Sequence, residues 1–229
     1  KDLDDIEKDK ILEYINNGGK IIMITSQNIL EVDTPKLDEV LAQYGITLGY
    51  GVLFEQDSSK MLQGSPDMII ENVSASFMNS LDMSLKACFI DAGKIEFADS
   101  DTLSNLGVEY EKIASTSDKA FLRTNFNTSS TSRVDGDSEE GSSIIGAYVT
   151  KTISDDKKSQ LIIYSNEMFA TNLTLQVSSK YYTYASELYN NKDVILNSIS
   201  HLTEREDTIV IRKTNETENY TVSDQEDVI

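Results

Sequence analysis

The 229-residue sequence is short of cations, cysteine and histidine, and it has no long apolar run. Only 20 Lys and Arg stand against 39 Asp and Glu, a formal net charge of −19 at pH 7. Phosphate backbones and anionic lipid are bound through clustered cations. This balance therefore excludes a nucleic-acid binder and argues against docking on an anionic membrane surface. One cysteine, Cys88, excludes an internal disulfide and a cysteine-rich zinc site. One histidine, His201, would have to carry any histidine-based metal site or triad by itself. Apolar stretches such as residues 21–24 fall far short of the roughly 20 residues that span a bilayer. No cofactor is implied.

What is present fits a folded chain. Apolar residues make up 39% and charged residues 26%, above a disordered composition and enough for a core. Leu3, Ile6, Ile11, Leu12 and Ile15 fall near one face of a helix. Asp4 and Glu7 have capping-box spacing at its start, and Asn17-Gly18-Gly19 stops it. Residues 21–24 then read as a strand buried on both faces, as in a parallel sheet. Helix, glycine stop and buried strand are half of a βαβ unit, whose first strand is expected upstream.

The alternation repeats. Thr34-Pro35 opens a second helix with Leu37, Val40, Leu41 and Tyr44 on its apolar face, and residues 46–54 read as a strand. Residues 76–85 read as a weak helix. Strands are expected at 87–91 and 94–98 with Ala92-Gly93 as a hairpin turn, and again at 108–114 and 120–124. Residues 125–143 are a polar, low-complexity excursion, expected as a mobile surface loop. Strands return at 144–153 and 161–164. Ile195, Ile199 and Leu202 mark a last helix, and 208–211 a last strand. Residues 1–213 thus form one α/β domain. Residues 214–229, with five acids and no base, read as an acidic linker. The expected fold class is a mostly parallel sheet with helices on both faces and added antiparallel strands. Its plan is flavodoxin-like or similar to class I glutamine amidotransferases.

Candidate chemistry is sparse. The acidic run 135–140 lacks the ligand spacing of a calcium helix–loop–helix and reads as a solvated loop. Cys88 lies inside an apolar strand with no nucleophile elbow around it and reads as an inert buried thiol. His201 reads as a solvent-facing or helix-terminal histidine. Two polar corners follow apolar strands: Ser26-Gln27-Asn28 and Ser165-Asn166-Glu167. Ligands gather outside strand carboxyl ends in open parallel sheets. Ser26, Asn28, Ser165, Asn166 and Glu167 are therefore the candidate ligand-binding residues, against the alternative that they only supply turn and cap hydrogen bonds.

Two groups of segments resemble a known family. The first comprises residues 11–24, with Asn17-Gly18-Gly19-Lys20 between a helix and an apolar strand, and residues 37–46, ending in Tyr44-Gly45-Ile46. The second comprises residues 160–169 and 191–203, the latter carrying Asn191, Asp193, Leu196, Asn197 and Leu202. In the same order these resemble the gliding-motility-associated (GldG-like) auxiliary subunits of ABC transport systems. The match departs from the family at His201, where a tryptophan is often found. The resemblance implies a membrane-anchored domain on the extracytoplasmic side of the cell membrane. ABC permease and ATPase subunits would be its partners, and residues 214–229 would lead to a membrane helix. It carries over no catalytic residue.

The function expected is a non-enzymatic accessory domain that recognises a partner protein or a transported ligand. The alternative is a hydrolase or amidotransferase-like enzyme, with Ser26 or Ser165 as nucleophile and His201 as the available base. A glycan-binding surface built on Tyr181, Tyr182 and Tyr184 is a third reading.

Overall fold

The computed structural model describes residues 2–25, 33–78, 85–178 and 181–204. Helix α1 (Asp5–Asn16) starts at the expected capping box. Glu7 N–H donates to Asp4 Oδ1 at 2.8 Å, and Asp4 N–H donates to Glu7 Oε2 at 2.9 Å. The chain turns at Gly18, whose φ is +81°, and enters β1 (Lys20–Ile24). Gly19 is required for a different reason. The Tyr14 ring packs so closely that a Cβ on residue 19 would sit 2.3 Å from Tyr14 Cδ1. The Gly-Gly pair thus serves one backbone conformation and one close approach.

Helix α2 (Pro35–Ala42) leads to β2 (Ile46–Leu48) and β3 (Val52–Phe54). Then come β4 (Met61–Leu62), β5 (Ser65–Val73), β6 (Leu85–Ile90), β7 (Ile95–Phe97) and α3 (Ser100–Leu106). The remaining strands are β8 (Val108–Ser115), β9 (Phe121–Arg123), β10 (Ile144–Ser154), β11 (Lys157–Tyr164), β12 (Thr174–Ser178) and β13 (Tyr181–Tyr184). Helix α4 (Asn191–Leu202) follows.

The main sheet has the order β1-β11-β10-β7-β2, with β8 also paired to β10. Within it only β1 and β11 run parallel; the other pairings are antiparallel. Among the described residues, three smaller antiparallel sheets, β3-β9, β4-β5-β6 and β12-β13, hold the other strands. The mostly parallel, flavodoxin-like or amidotransferase-like plan is therefore wrong, and the fold is a mixed sheet dominated by antiparallel pairs. The physical reason is the connections. A parallel neighbour needs a crossover of a dozen or more residues, usually through a helix. Here β10 and β11 are joined by a tight turn at Asp155 and Asp156, which forces an antiparallel pair. Ala92-Gly93 makes no hairpin either, because β6 and β7 lie in different sheets.

Period-two alternation along β11 divides the interior. Leu161 and Ile163 face a core with Ile15, Val40, Leu41 and Tyr44 from α1 and α2. Ile162 and Tyr164 face the opposite core, with Ile145, Phe89, Phe169 and, from α4, Val194 and Leu202. β11 is buried on both faces from Leu161 to Tyr164. β1 is not: all five of its residues are only half-buried, and among the described residues β1 lies at the sheet edge. The weak helix expected at 76–85 is a single turn over Ser76–Met78, and residues 79–84 lie outside the described set. So do the strand expected at 208–211 and the linker at 214–229.

Candidate functional site

The sequence pointed to the corner after β11. Ser165 N–H donates to Ile145 O at 3.0 Å, and its hydroxyl donates to Gly93 O at 2.7 Å. Gly93 N–H returns a 3.0 Å bond to Ser165 O. Ser165 is buried and its hydrogen bonding is spent on tying the loop after β6 to the start of β10. Asn166 is fully buried; its Oδ1 accepts from Met168 N–H at 2.9 Å and caps the following turn. Among the described residues its Nδ2 has no hydrogen-bond partner. Glu167 is exposed. Ser26 and Asn28 lie outside the described residues.

Three carboxylates meet near this corner. Asp91 occupies a left-handed backbone conformation, φ +52°, held by a 2.9 Å bond from its N–H to Asp67 O. Burial, then the negative charges of Asp67 and Glu167, push the Asp91 carboxyl above its ordinary range. Among the described residues no three His, Cys, Asp or Glu side chains are grouped to hold a metal.

The side chains capable of nucleophilic or basic chemistry are built into the fold. Cys88 is fully buried, and burial pushes its thiol up to about 12, far from thiolate chemistry at neutral pH. His201 is helix-terminal, as one of its two expected readings had it, standing in the last turn of α4, half-buried rather than solvent-facing. It stacks on Phe77 with ring centroids 4.5 Å apart and meets Tyr148 edge-on at 5.0 Å. Tyr182 and Tyr184 are exposed on β13, while the Tyr181 side chain lies outside the description.

Three arrangements escaped the sequence reading. Asn191, at the first position of α4, is fully buried and acts as a strand mimic on β6. Its Oδ1 accepts from Cys88 N–H at 2.8 Å, and its Nδ2 donates to Cys88 O at 2.9 Å and Ala185 O at 3.0 Å. Glu55, also fully buried, accepts from the N–H groups of Gln56, Asp57 and Ser117 and from the Ser117 hydroxyl. The third arrangement is Arg123, which organises the polar excursion at 125–143. Its Nε donates to Asp137 at 2.9 and 3.1 Å, and its two terminal nitrogens donate to Ser130 O and Ser132 O at 2.8 Å. The guanidinium lies 4.6 Å over the Phe54 ring. The ion pair is buried, with side chains 3% and 0% exposed. Burial works against the Asp137 carboxylate, but N–H donors from Val134 and Thr124, together with Arg123, hold it below its ordinary range. This acid therefore serves the loop's own architecture.

An open groove lies elsewhere. A groove of 590 Å³ lies at the amino end of β1, lined by Tyr14, Asn17, Ile22, Ile199, Leu202 and Thr203. Glu204 bridges to Lys20 at 2.5 Å beside it.

No protein-family model matches the sequence, and no curated protein matches it. Among solved structures the chain is similar to the mmIFT52 N-terminal domain, with a TM-score of 0.56 at 13% identity. The alignment covers 88% of this chain and 72% of that chain. At such identity the likeness is one of fold alone.

Proposed function

We propose that this chain is a non-enzymatic accessory domain of an ABC-type transport system. It stands on the extracytoplasmic side of the cell membrane and recognises a partner protein or a transported ligand. The support is the role given to the residues that carry the family resemblance. Gly18 and Gly19 seat Tyr14 against β1, and Asn191 clamps α4 to β6. These are scaffold duties, suited to a domain that presents a surface. Ser165, Cys88 and His201, the residues an acyl-transfer mechanism would draw on, are tied up in hydrogen bonds, burial and ring stacking. The candidate recognition features are Glu167 and the Asn166 Nδ2, which has no partner among the described residues, at the β11 corner: a carboxylate next in sequence to a buried donor. Membrane fractionation of source cells, followed by protease shaving of intact cells, tests the reading. Sedimentation with membranes and cleavage from outside support it. A soluble product protected from protease overturns it, and so does esterase or amidase turnover that is lost in Ser165→Ala.

A further inference from the structure

The hairpin β12–β13 turns an aromatic face outward. Its register sets Thr174 opposite Tyr184 and Gln176 opposite Tyr182, with Leu175 and Thr183 paired between them. Strand alternation therefore puts Thr174, Gln176, Tyr182 and Tyr184 on one face, and all four are exposed. Leu175 points the other way and packs on the small core of Cys88, Ile90 and Leu188. Tyr182 and Tyr184 are 58% and 45% exposed. Two residues along one strand places their Cβ atoms about 7 Å apart, so the two rings stand as neighbours on one surface. Leu173, which leads into β12, is 47% exposed and extends that surface. Single apolar side chains scattered over a surface need no explanation, but adjoining ones on one face mark an interaction site.

Carboxylates stand at the base of this hairpin. Thr171 N–H donates to Met168 O at 3.0 Å, and Ala185 N–H donates to Leu173 O at 2.9 Å, so the β11 corner joins the Tyr184 end of the hairpin. Met168 and Ile90 pack in the same small core as Leu175, which brings their neighbours in sequence, Glu167 and Asp91, to that end. Ser186 N–H donates to Thr171 O at 2.9 Å, and the exposed Glu187 follows it. Among the described residues Glu167, Asp91 and Glu187 take part in no ion pair. The described part of 159–191 holds no lysine or arginine, and Lys180 lies outside the described residues. Lys86 is at the opposite end of β6 from Asp91, roughly 17 Å away along the strand. Rings and unpaired carboxylates side by side complement one kind of group, a planar cation. The formal charge of −19 adds a longer-range attraction for it.

We infer that the outward face of β12–β13 is a docking site for an arginine-bearing segment of a partner protein. The guanidinium stacks on Tyr182 or Tyr184, and the exposed carboxylates of Glu167 and Glu187 accept its N–H groups. A second copy of this chain fits less well, because it would bring like charges together. A neutral glycan would use the rings and leave the carboxylates without a role. This docking role rests on the reading of the chain as a recognition domain and not on its place in a transport system. The purified chain therefore tests it, and its failure leaves the membrane assignment standing.

The probe is the peptide acetyl-Gly-Arg-Gly-Arg-Gly-amide, titrated into the 229-residue chain at about 0.15 M salt and followed by amide NMR shifts. The expected result is a saturable shift confined to residues 165–176 and 182–189. Tyr182→Ser/Tyr184→Ser should weaken binding about tenfold or more, with the circular dichroism spectrum unchanged because both side chains are exposed. Glu167→Gln/Glu187→Gln should weaken it by a similar factor. Glu13→Gln/Glu109→Gln removes the same charge from exposed positions on α1 and β8 and should change affinity by less than about twofold. No saturation by about 10 mM peptide, or shifts spread over the whole surface, overturns the inference. So does equal weakening by the two charge-removing variants, which would show diffuse attraction only. Saturable binding of maltohexaose that is lost in the tyrosine variant and kept in Glu167→Gln/Glu187→Gln assigns the face to a glycan and overturns it as well. Shifts at these residues that grow with protein concentration in the absence of peptide assign the face to a second copy, with the same consequence.

Discussion

Arg123→Met removes the cation that threads the 125–143 excursion while leaving an apolar side chain of similar reach. The wild-type guanidinium makes bonds to both Asp137 oxygens and to the carbonyls of Ser130 and Ser132, and it covers the Phe54 ring. After the substitution Asp137 keeps its bonds from Thr124 N–H at 3.1 Å and Val134 N–H at 2.9 Å, but its charge stays buried without a counter-ion. Removing one partner of a buried pair costs about 3–5 kcal/mol. That is a large fraction of the roughly 5–15 kcal/mol that holds a typical domain folded. The double variant Arg123→Met/Asp137→Asn should recover part of the loss, because the orphaned charge is gone. Urea unfolding followed by circular dichroism reads the stability. Trypsin cleavage after Arg133 reads the loop directly, and it should accelerate in Arg123→Met well beyond the effect on global unfolding. A loss below about 1 kcal/mol, the scale of an exposed pair, with unchanged cleavage would refute the view that Arg123 organises this segment.

Gly19→Ala should destabilise the domain by about 2 kcal/mol or more, the overpacking range, because its Cβ would meet both the Tyr14 ring and the Tyr14 carbonyl. Tyr14→Ala in the same chain should relieve only the ring clash, so additive losses in urea would count against the packing argument. Asn191→Ala leaves the β6 backbone at Cys88 unpaired, and calorimetry should show a loss of about 2–4 kcal/mol. Cys88 should be inert to a thiol reagent in the native state and react at the rate of unfolding; rapid native labelling would contradict its burial. Glu71 gives a pH dependence. Burial, only partly offset by the Lys60 ammonium, raises its carboxyl above 4.5. A raised folded pKa means the folded state holds the proton more tightly, so this contribution is complete below 4.5 and is lost as pH rises through the folded value. Glu71→Gln should therefore gain stability relative to wild type between pH 4.5 and pH 7, and a flat difference across that window would reject the assignment.

Local features were legible in the sequence because they need only near neighbours. The Asp4–Glu7 capping box, the Gly18 turn and the apolar run of β11 depend on spacings of a few residues, and all appear as read. Sheet order was not legible, because it is set by which strands meet across the chain. The alternation of the first 50 residues suggested parallel crossovers throughout, whereas the turn at Asp155 and Asp156 folds β10 directly back onto β11. The chain does leave β11 through an irregular turn at Ser165, Asn166 and Glu167, as read. The burial of Ser165 was invisible, because it depends on Gly93 and Ile145, 72 and 20 residues away. Asn191 and Cys88 are 103 residues apart. A charged residue closing a short apolar strand, as Arg123 does after Phe121 and Leu122, was the one available sign of a buried ion pair, and Asp137 in the following polar loop was its natural partner.

The most direct measurement of the proposed role is purification of the tagged native protein from solubilised source membranes, with quantitative identification of what comes with it. An ABC permease and its ATPase should co-purify in near-stoichiometric amounts, and Glu167→Lys at the exposed corner should lower that yield without changing the protein's own stability. Recovery of the protein from the soluble fraction, free of both subunits, would contradict the proposal.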